Sequence, residues 1–239
     1  MTERRRLWIT RTAPQAEATA ARLRAMRIEA VVAPVLEIRP IAGVALDLAG
    51  AEALAFTSQA AVAAFAAASP ERSLPVFAVG AATAAAAQEA GFQHILAPPA
   101  HGDVRGLADR IAAADPKPRL VLNPTALEPA SDLAALLAAR GVAATSLAVY
   151  ETVRSGLTAA PDAIDGLVVH SAKAAEAVAD LVDPGCAAGL TVYAISEAAA
   201  ASLRRRSFGR ILVAEQPNEA SLLARIGIDR DGAETQQEP

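Results

Sequence analysis

Five short segments of this chain share one chemical design: an apolar run ends in a small hydroxyl residue or glycine, and a helix-forming stretch begins at once. They are Thr10-Arg11-Thr12, Thr57-Ser58-Gln59, Gly80-Ala81-Ala82-Thr83, His170-Ser171-Ala172-Lys173 and Ser196-Glu197. The first turn of a helix aims backbone N–H groups and the positive end of its dipole at whatever precedes it, so such loops attract anions. In parallel sheets these loops gather at the carboxyl ends of the strands, where α/β proteins bind ligands. The pattern predicts a carboxylate-binding cleft between two lobes. Ser and Thr also cap helices where nothing binds, so any one loop has a purely structural reading. Its recurrence in both halves is what points to a ligand.

Other chemistries lack their residues. There is no G-x-G-x-x-G, P-loop or H-E-x-x-H motif, no paired cysteines and no G-x-S-x-G elbow. His94, His101 and His170 are too scattered to argue for a metal site, and the lone Cys186 forms no intramolecular disulfide. No cofactor or metal is expected. A net charge of -4 and an aromatic content of 3% exclude the basic, stacking surface of a nucleic-acid binder. Although 53% of residues are hydrophobic, charge, Gly or Pro breaks every run before the roughly 18 apolar residues of a spanning helix. The basic start Met1-Thr2-Glu3-Arg4-Arg5-Arg6 precedes an apolar run too short for a signal peptide, with Arg11 ending it, so a cytoplasmic protein is expected.

The positioning elements follow from the alternation of short apolar runs with longer alanine-rich stretches, the rhythm of β/α units. Strands are predicted at Leu7 to Thr10, Ala30 to Ala33, Ala53 to Thr57, Val76 to Val79, His94 to Ala97, Leu120 to Leu122, Ala143 to Leu147, Gly166 to His170, Thr191 to Ile195 and Ile211 to Ala214. Helices are predicted over Pro14 to Met26, Gln59 to Ala67, Ala81 to Ala90, Val104 to Ala114, Ser131 to Ala139, Ala172 to Leu181, Glu197 to Arg205 and Glu219 to Ile226. Gly91 and Gly141 stand where a helix stop needs a left-handed residue.

The two halves repeat each other. Thr10 aligns with Asn123 and Ser58 with Ser171, each 113 residues on, and Gly80 with Ser196 at 116. Ile95-Leu96-Ala97 followed by Gly102-Asp103 answers Leu212-Val213-Ala214 followed by Asn218-Glu219. Two similar lobes follow, and periodicity alone leaves open whether the halves are tandem or interleaved. The segments Val35 to Arg39 and Ala148 to Val153 each prolong a strand without a turn. If both cross between lobes, residues 1–34 join 154–227 in one lobe, 40–147 form the other, 35–39 and 148–153 are linker strands, and the polar residues 228–239 form a disordered tail.

Several stretches, in order, resemble the uroporphyrinogen-III synthase family. They are Trp8-Ile9-Thr10-Arg11, Pro34-Val35-Leu36-Glu37-Ile38, Phe56-Thr57-Ser58-Gln59-Ala60-Ala61-Val62, Ala78-Val79-Gly80-Ala81-Ala82-Thr83, Ala90-Gly91-Phe92, Val149-Tyr150-Glu151-Thr152 and Glu215-Gln216-Pro217-Asn218-Glu219. The resemblance implies two flavodoxin-like parallel-sheet lobes joined by a two-stranded antiparallel linker, which selects the interleaved arrangement. It implies a cofactor-free lyase that closes hydroxymethylbilane, with loss of water and inversion of the last ring, to uroporphyrinogen III. It further implies a monomer, and transient contact with hydroxymethylbilane synthase.

On that reading the substrate-binding residues are Thr10, Arg11, Ser58, Gln59, Gly80, Ala81, Thr83, Ser171, Ala172, Lys173, Ser196 and Glu197. His170 stands where relatives often carry tyrosine, and becomes the expected proton donor to the leaving hydroxyl. Local hydrogen bonding is the competing reading of that imidazole. Arg154 reads as surface charge, Glu197 as a charge favourable to a helix dipole, and Tyr150 as packing at the lobe junction. Asn123-Pro124 replaces an Arg-Gly type turn of relatives. The rival classes are a noncatalytic two-lobed sensor, which would carry an attached DNA-binding or export segment, and an interaction module with an incidental cleft.

Overall fold

The computed structural model describes residues 5–96 and 102–235. The chain divides into two compact units, one of residues up to Glu37 with those from Val153 on, the other Ile38–Thr152. Both are α/β with parallel sheets.

The first unit is built on β1 (Arg6–Ile9), β2 (Glu29–Val32), β9 (Gly166–Val169), β10 (Thr191–Ala194) and β11 (Arg210–Val213), in the spatial order β11-β10-β9-β1-β2 with every neighbouring pair parallel. Strands buried on both faces must be apolar throughout, and Leu7, Trp8 and Ile9 are fully buried. Their alternation sends Leu7, Ile9, Val168 and Tyr193 towards α1 (Gln15–Ala25) and α9 (Glu219–Thr235). Trp8, Leu167, Val169 and Val192 face α6 (Ala172–Leu181), the short α7 (Pro184–Ala187) and α8 (Glu197–Ala200). The buried indole of Trp8 keeps its donor satisfied at the Ala33 carbonyl, 2.6 Å away.

The second unit carries β4 (Ala53–Phe56), β5 (Val76–Ala78), β6 (Ile95–Leu96), β7 (Leu120–Ala126) and β8 (Ala143–Arg154), with β3 (Leu36–Pro40) beside β8, in the order β3-β8-β7-β4-β5-β6. The pairs from β8 to β6 are parallel. Here α2 (Gln59–Ala68) and α3 (Ala81–Glu89) cover one face around Leu54, Phe56 and Val76, while α4 (Val104–Ala112) and α5 (Leu133–Ala138) cover the other around Ala55, Phe77 and Val121. Both unit boundaries fall inside strands, β3 and β8.

The two sheet orders explain the sequence repeat. Position by position, β1, β2, β9, β10 and β11 occupy the places of β7, β8, β4, β5 and β6. The chain is a tandem repeat, yet each sheet takes its first two strands from one copy and its last three from the other.

Several expectations need correction. The strand predicted to end at Leu122 runs to Ala126, through Pro124. Pairing to β4 stops at Leu122, so beyond it β7 has a neighbour on one side only, where a residue without an N–H costs no ladder bond. The helix predicted over Glu197 to Arg205 is α-helical only to Ala200 and tightens into a 3-10 turn at Leu203–Arg205 that buries Leu203. The tail expected to lose order at 228 is helical to Thr235. Its anchor is Asp229, which accepts from the Tyr193 hydroxyl at 2.5 Å and pairs with Arg5 at 2.8 Å and Arg210 at 2.6 Å. The end of the strand predicted at His94 to Ala97, and His101, lie outside the described residues.

Candidate functional site

At the carboxyl end of the first sheet, Ser171 and Ser196 sit in extended backbone and accept the N–H groups of Ala174 (3.1 Å) and Ala199 (3.3 Å), opening α6 and α8. Asn218 opens α9 in the same way, accepting from Ser221 at 2.9 Å. These caps leave the first turns of three helices at one edge of the sheet. Thr10 ends β1 fully buried, its hydroxyl spent on the Val168 carbonyl at 2.7 Å, so this side chain ties strands together and does not face a ligand.

The dominant feature is a carboxylate hub. Glu219, the first residue of α9, accepts from the Thr19 hydroxyl (2.6 Å), Arg11 Nη1 (3.0 Å) and His170 Nε2 (2.9 Å), with Arg22 at 3.7 Å. Burial pushes the Glu219 carboxyl up, but hydrogen bonds from His170 and Thr19 and the charge of Arg11 outweigh it and hold it well below the usual range. His170 is pulled the other way. Burial lowers its pKa and the charge of Arg11 adds to this, only partly offset by Glu219, so the imidazole is neutral at neutral pH. The imidazole expected as proton donor is therefore committed to Glu219, and its other ring nitrogen, Nδ1, is buried with no partner.

The second unit presents a different edge. Ser58 caps α2 through Ala61 N–H at 3.1 Å, and Gly80 opens α3 in an extended conformation. Asp103 opens α4, accepting from Gly106 at 2.7 Å. Against the Ser58 hydroxyl lies the phenol of Tyr150, 3.2 Å away. Sequence reasoning read Tyr150 as packing; its ring does pack on the β4 side of the sheet, but its hydroxyl reaches the helix N-terminus. Position 150 lies in the prolonged β8, three residues past its pairing with Pro124, and the Leu147–Pro124 register was the missing signal.

The sequence matches the family described as uroporphyrinogen-III synthase HemD over residues 17–224. The chain belongs to the uroporphyrinogen-III synthase family. Its members are lyases that close a tetrapyrrole ring without a cofactor. The structure of uroporphyrinogen-III synthetase from Helicobacter pylori 26695 is similar with a TM-score of 0.67 at 20% identity, covering 95% of this chain and 100% of that one. A mutant uroporphyrinogen III synthase from the extremely thermophilic bacterium Thermus thermophilus aligns at 19% identity with a TM-score of 0.48, covering 98% and 100%. No curated protein matches significantly.

Among the residues predicted to bind substrate, Arg11 joins the Glu219 hub, and Ser171, Ala172 and Lys173 form the exposed start of α6. Ser58, Gln59, Gly80 and Ala81 lie at the starts of α2 and α3, whereas Thr83 is turned into the core. Glu197 pairs with Arg204 at 2.8 Å, a surface contact, and Arg154 with Asp180 at 2.7 Å. Glu219 and the Tyr150 hydroxyl are the site elements that the sequence did not reveal. No group of His, Cys, Asp and Glu suited to a metal ion occurs among the described residues, and no helix there is long and apolar enough to cross a membrane.

Proposed function

We propose that this synthase closes hydroxymethylbilane by positioning it on the helix N-termini at the strand ends, with Tyr150 delivering the proton that lets the hydroxyl leave. The observation that carries the reading is the recurrence of open helix starts at equivalent strand ends: Ser58, Gly80, Ser171 and Ser196 all hold φ between -155° and -162°. They suit a substrate whose side chains are carboxylates. Arg11 and Lys173 add positive charge there.

The lobes are flavodoxin-like. In the first unit, numbering its strands in chain order, the sheet reads 2-1-3-4-5, the flavodoxin order, and the second unit is its interleaved counterpart. The linker is antiparallel: Ser155 N–H bonds to the Val35 carbonyl and Ile41 N–H to the Val149 carbonyl, so residue numbers rise on one strand as they fall on the other.

Departure of the hydroxyl as water needs a proton on that oxygen. His170 is neutral and held by Glu219, and Tyr193 is buried against Asp229, where burial and that carboxylate push its pKa up. Tyr150 stands at the start of α2, its phenol 3.2 Å from the Ser58 hydroxyl that caps the helix. The azafulvene left behind is attacked by the substituted carbon of the far ring. The resulting spiro intermediate breaks and recombines with that ring inverted, and the proton released on rearomatisation returns to the phenolate, so the net loss is water. The enzyme acts as a cytoplasmic monomer in transient contact with hydroxymethylbilane synthase, since its substrate also closes spontaneously. Incubation with hydroxymethylbilane, without metal or nucleotide, should yield the III isomer; only isomer I, the product of spontaneous closure, would sink the reading.

A further inference from the structure

The two units provide an internal control. The strand registers and the helix caps, Ser58 with Ser171 and Asp103 with Asn218, set Arg11, His170 and Glu219 in the first unit against Thr125, Thr57 and Val104 in the second, one residue on from the repeat's pairings of Thr10 with Asn123 and Glu219 with Asp103. A unit of this architecture therefore folds with no charge at these three places. Desolvation offsets most of the attraction within a half-buried ion cluster, so the cluster is a poor source of net stability. Yet the first unit directs four side chains from three elements onto one carboxylate, at the strand ends where ligands bind.

His170 shows how the hub is organised. Glu219 is an acceptor, so the Nε2 facing it carries the proton and Nδ1 is a bare lone pair. That atom is buried without a partner in a side chain only 7% exposed. The imidazole thus leaves one nitrogen unsatisfied while donating to Glu219, a cost that packing alone does not require. With His170 neutral, Arg11 and Arg22 against Glu219 leave the hub with a net charge of one positive, which attracts a further carboxylate.

We propose that Glu219 is a positioning residue, which with the His170 Nε2–H and the Thr19 hydroxyl fixes the Arg11 guanidinium so that its Nε/Nη2 edge meets a carboxylate of the substrate. Both hydrogen bonds described for Arg11 run through Nη1, to Glu219 at 3.0 Å and Thr19 at 3.4 Å. A guanidinium is a rigid fork of five donors, so tethering one nitrogen orients an opposite edge suited to side-on carboxylate binding. The inference rests on the reading of Arg11 as a substrate contact.

Steady-state kinetics of the full chain with hydroxymethylbilane test it. Glu219→Gln should raise KM about tenfold with kcat within about threefold, because a loosened Arg11 weakens ground-state and transition-state binding alike. Arg11→Ala should do the same, and the double variant should be no worse than Arg11→Ala, since both act through one contact. A wild-type KM for Glu219→Gln, or an effect that adds to that of Arg11→Ala, overturns the positioning role and leaves Arg11 as a contact. An unchanged KM for Arg11→Ala overturns the reading of Arg11 itself, and the positioning role with it. Should Glu219→Gln fail to fold, the milder Thr19→Val decides: a rise of about threefold in KM supports the proposal and no rise overturns it.

Discussion

The same architecture, built twice in one chain, ends its strands in two different chemistries. In the first unit Arg11, His170 and Glu219 form a hydrogen-bonded set of charged and polar groups, and in the second Thr125, Thr57 and Val104 stand at the corresponding places. The second unit instead brings a phenol, Tyr150, to the cap of α2. The shared parts, extended Ser or Gly caps behind apolar strands, are those a parallel sheet with open helix starts requires. The unshared parts are where function has room to differ: the proposed charge recognition falls in one unit and the proposed proton delivery in the other.

The sharpest way to break this division is to remove the phenol. Tyr150→Phe should lower kcat about a hundredfold with KM little changed, because general-acid help is realised in the transition state. His170→Phe should instead raise KM severalfold and leave kcat nearly intact, since its imidazole acts through Glu219 and Arg11. Rapid-quench turnover on both variants would separate the roles, and a kcat loss confined to His170→Phe would reverse them.

A second test makes the first unit as uncharged at these places as the second. The triple variant Arg11→Ala, His170→Thr, Glu219→Val should fold and change stability by less than about 2 kcal/mol in urea melts, because a half-buried ion cluster traded for apolar contacts comes close to breaking even. Loss of cooperative unfolding would mean that the hub is needed for folding and that the second unit is no control for it.

Acid should distinguish the units by a smaller effect. The folded pKa of Glu219 is about 2 against 4.5 unfolded, so its contribution is complete above pH 4.5 and is lost as pH falls towards 2. His170 is also lowered, from 6.5, so the folded state binds its proton less readily and stability declines as pH drops below 6.5. Both act in the same direction. Hydrogen exchange at pH 5 against pH 7, corrected for intrinsic rates, should show loosening at residues 10–12, 170–172 and 218–220 and none at residues 57–59 and 124–126. Equal loosening at both sets would assign the acid response to the molecule as a whole.

Much of the shared architecture was legible in the sequence, because it is local. Ser58, Ser171 and Ser196 announce their helices by residue type, and the 113-residue spacing holds between Ser58 and Ser171, while the strand registers set Ile9, not Thr10, at the place of Asn123. What differs between the units was hidden, because it is not local. Glu219 lies 49 residues from His170 and 208 from Arg11, and only the sheet order brings them together. Pro124 looked like a strand end because a proline costs a ladder bond only where there is a neighbour to receive it, and β4 stops short. The polarity of residues 228–235 suggested disorder, but Asp229 is held by ion pairs with Arg5, just before β1, and with Arg210 in β11, both distant in sequence.

The smallest effect concerns how corresponding helices stop. Just past α5 the chain turns at Gly141, with φ 72°, and just past α1 it turns at Arg27, with φ 61°. The closures are alike: Val142 N–H bonds back to Leu137 at 3.1 Å, and Ile28 N–H to Leu23 at 3.0 Å. Both chains enter the left-handed region, where a side chain costs about 1–2 kcal/mol and glycine pays nothing. Arg27 is exposed, so little packing is lost on its removal. Glycine also loosens the unfolded chain, which offsets part of the gain. Arg27→Gly should therefore stabilise by about 0.5–1 kcal/mol in urea melts, and Gly141→Ala should destabilise by about 1 kcal/mol. If Arg27→Gly were neutral or destabilising, the end of α1 would owe its geometry to the arginine side chain, and the two helix stops would be alike in backbone only.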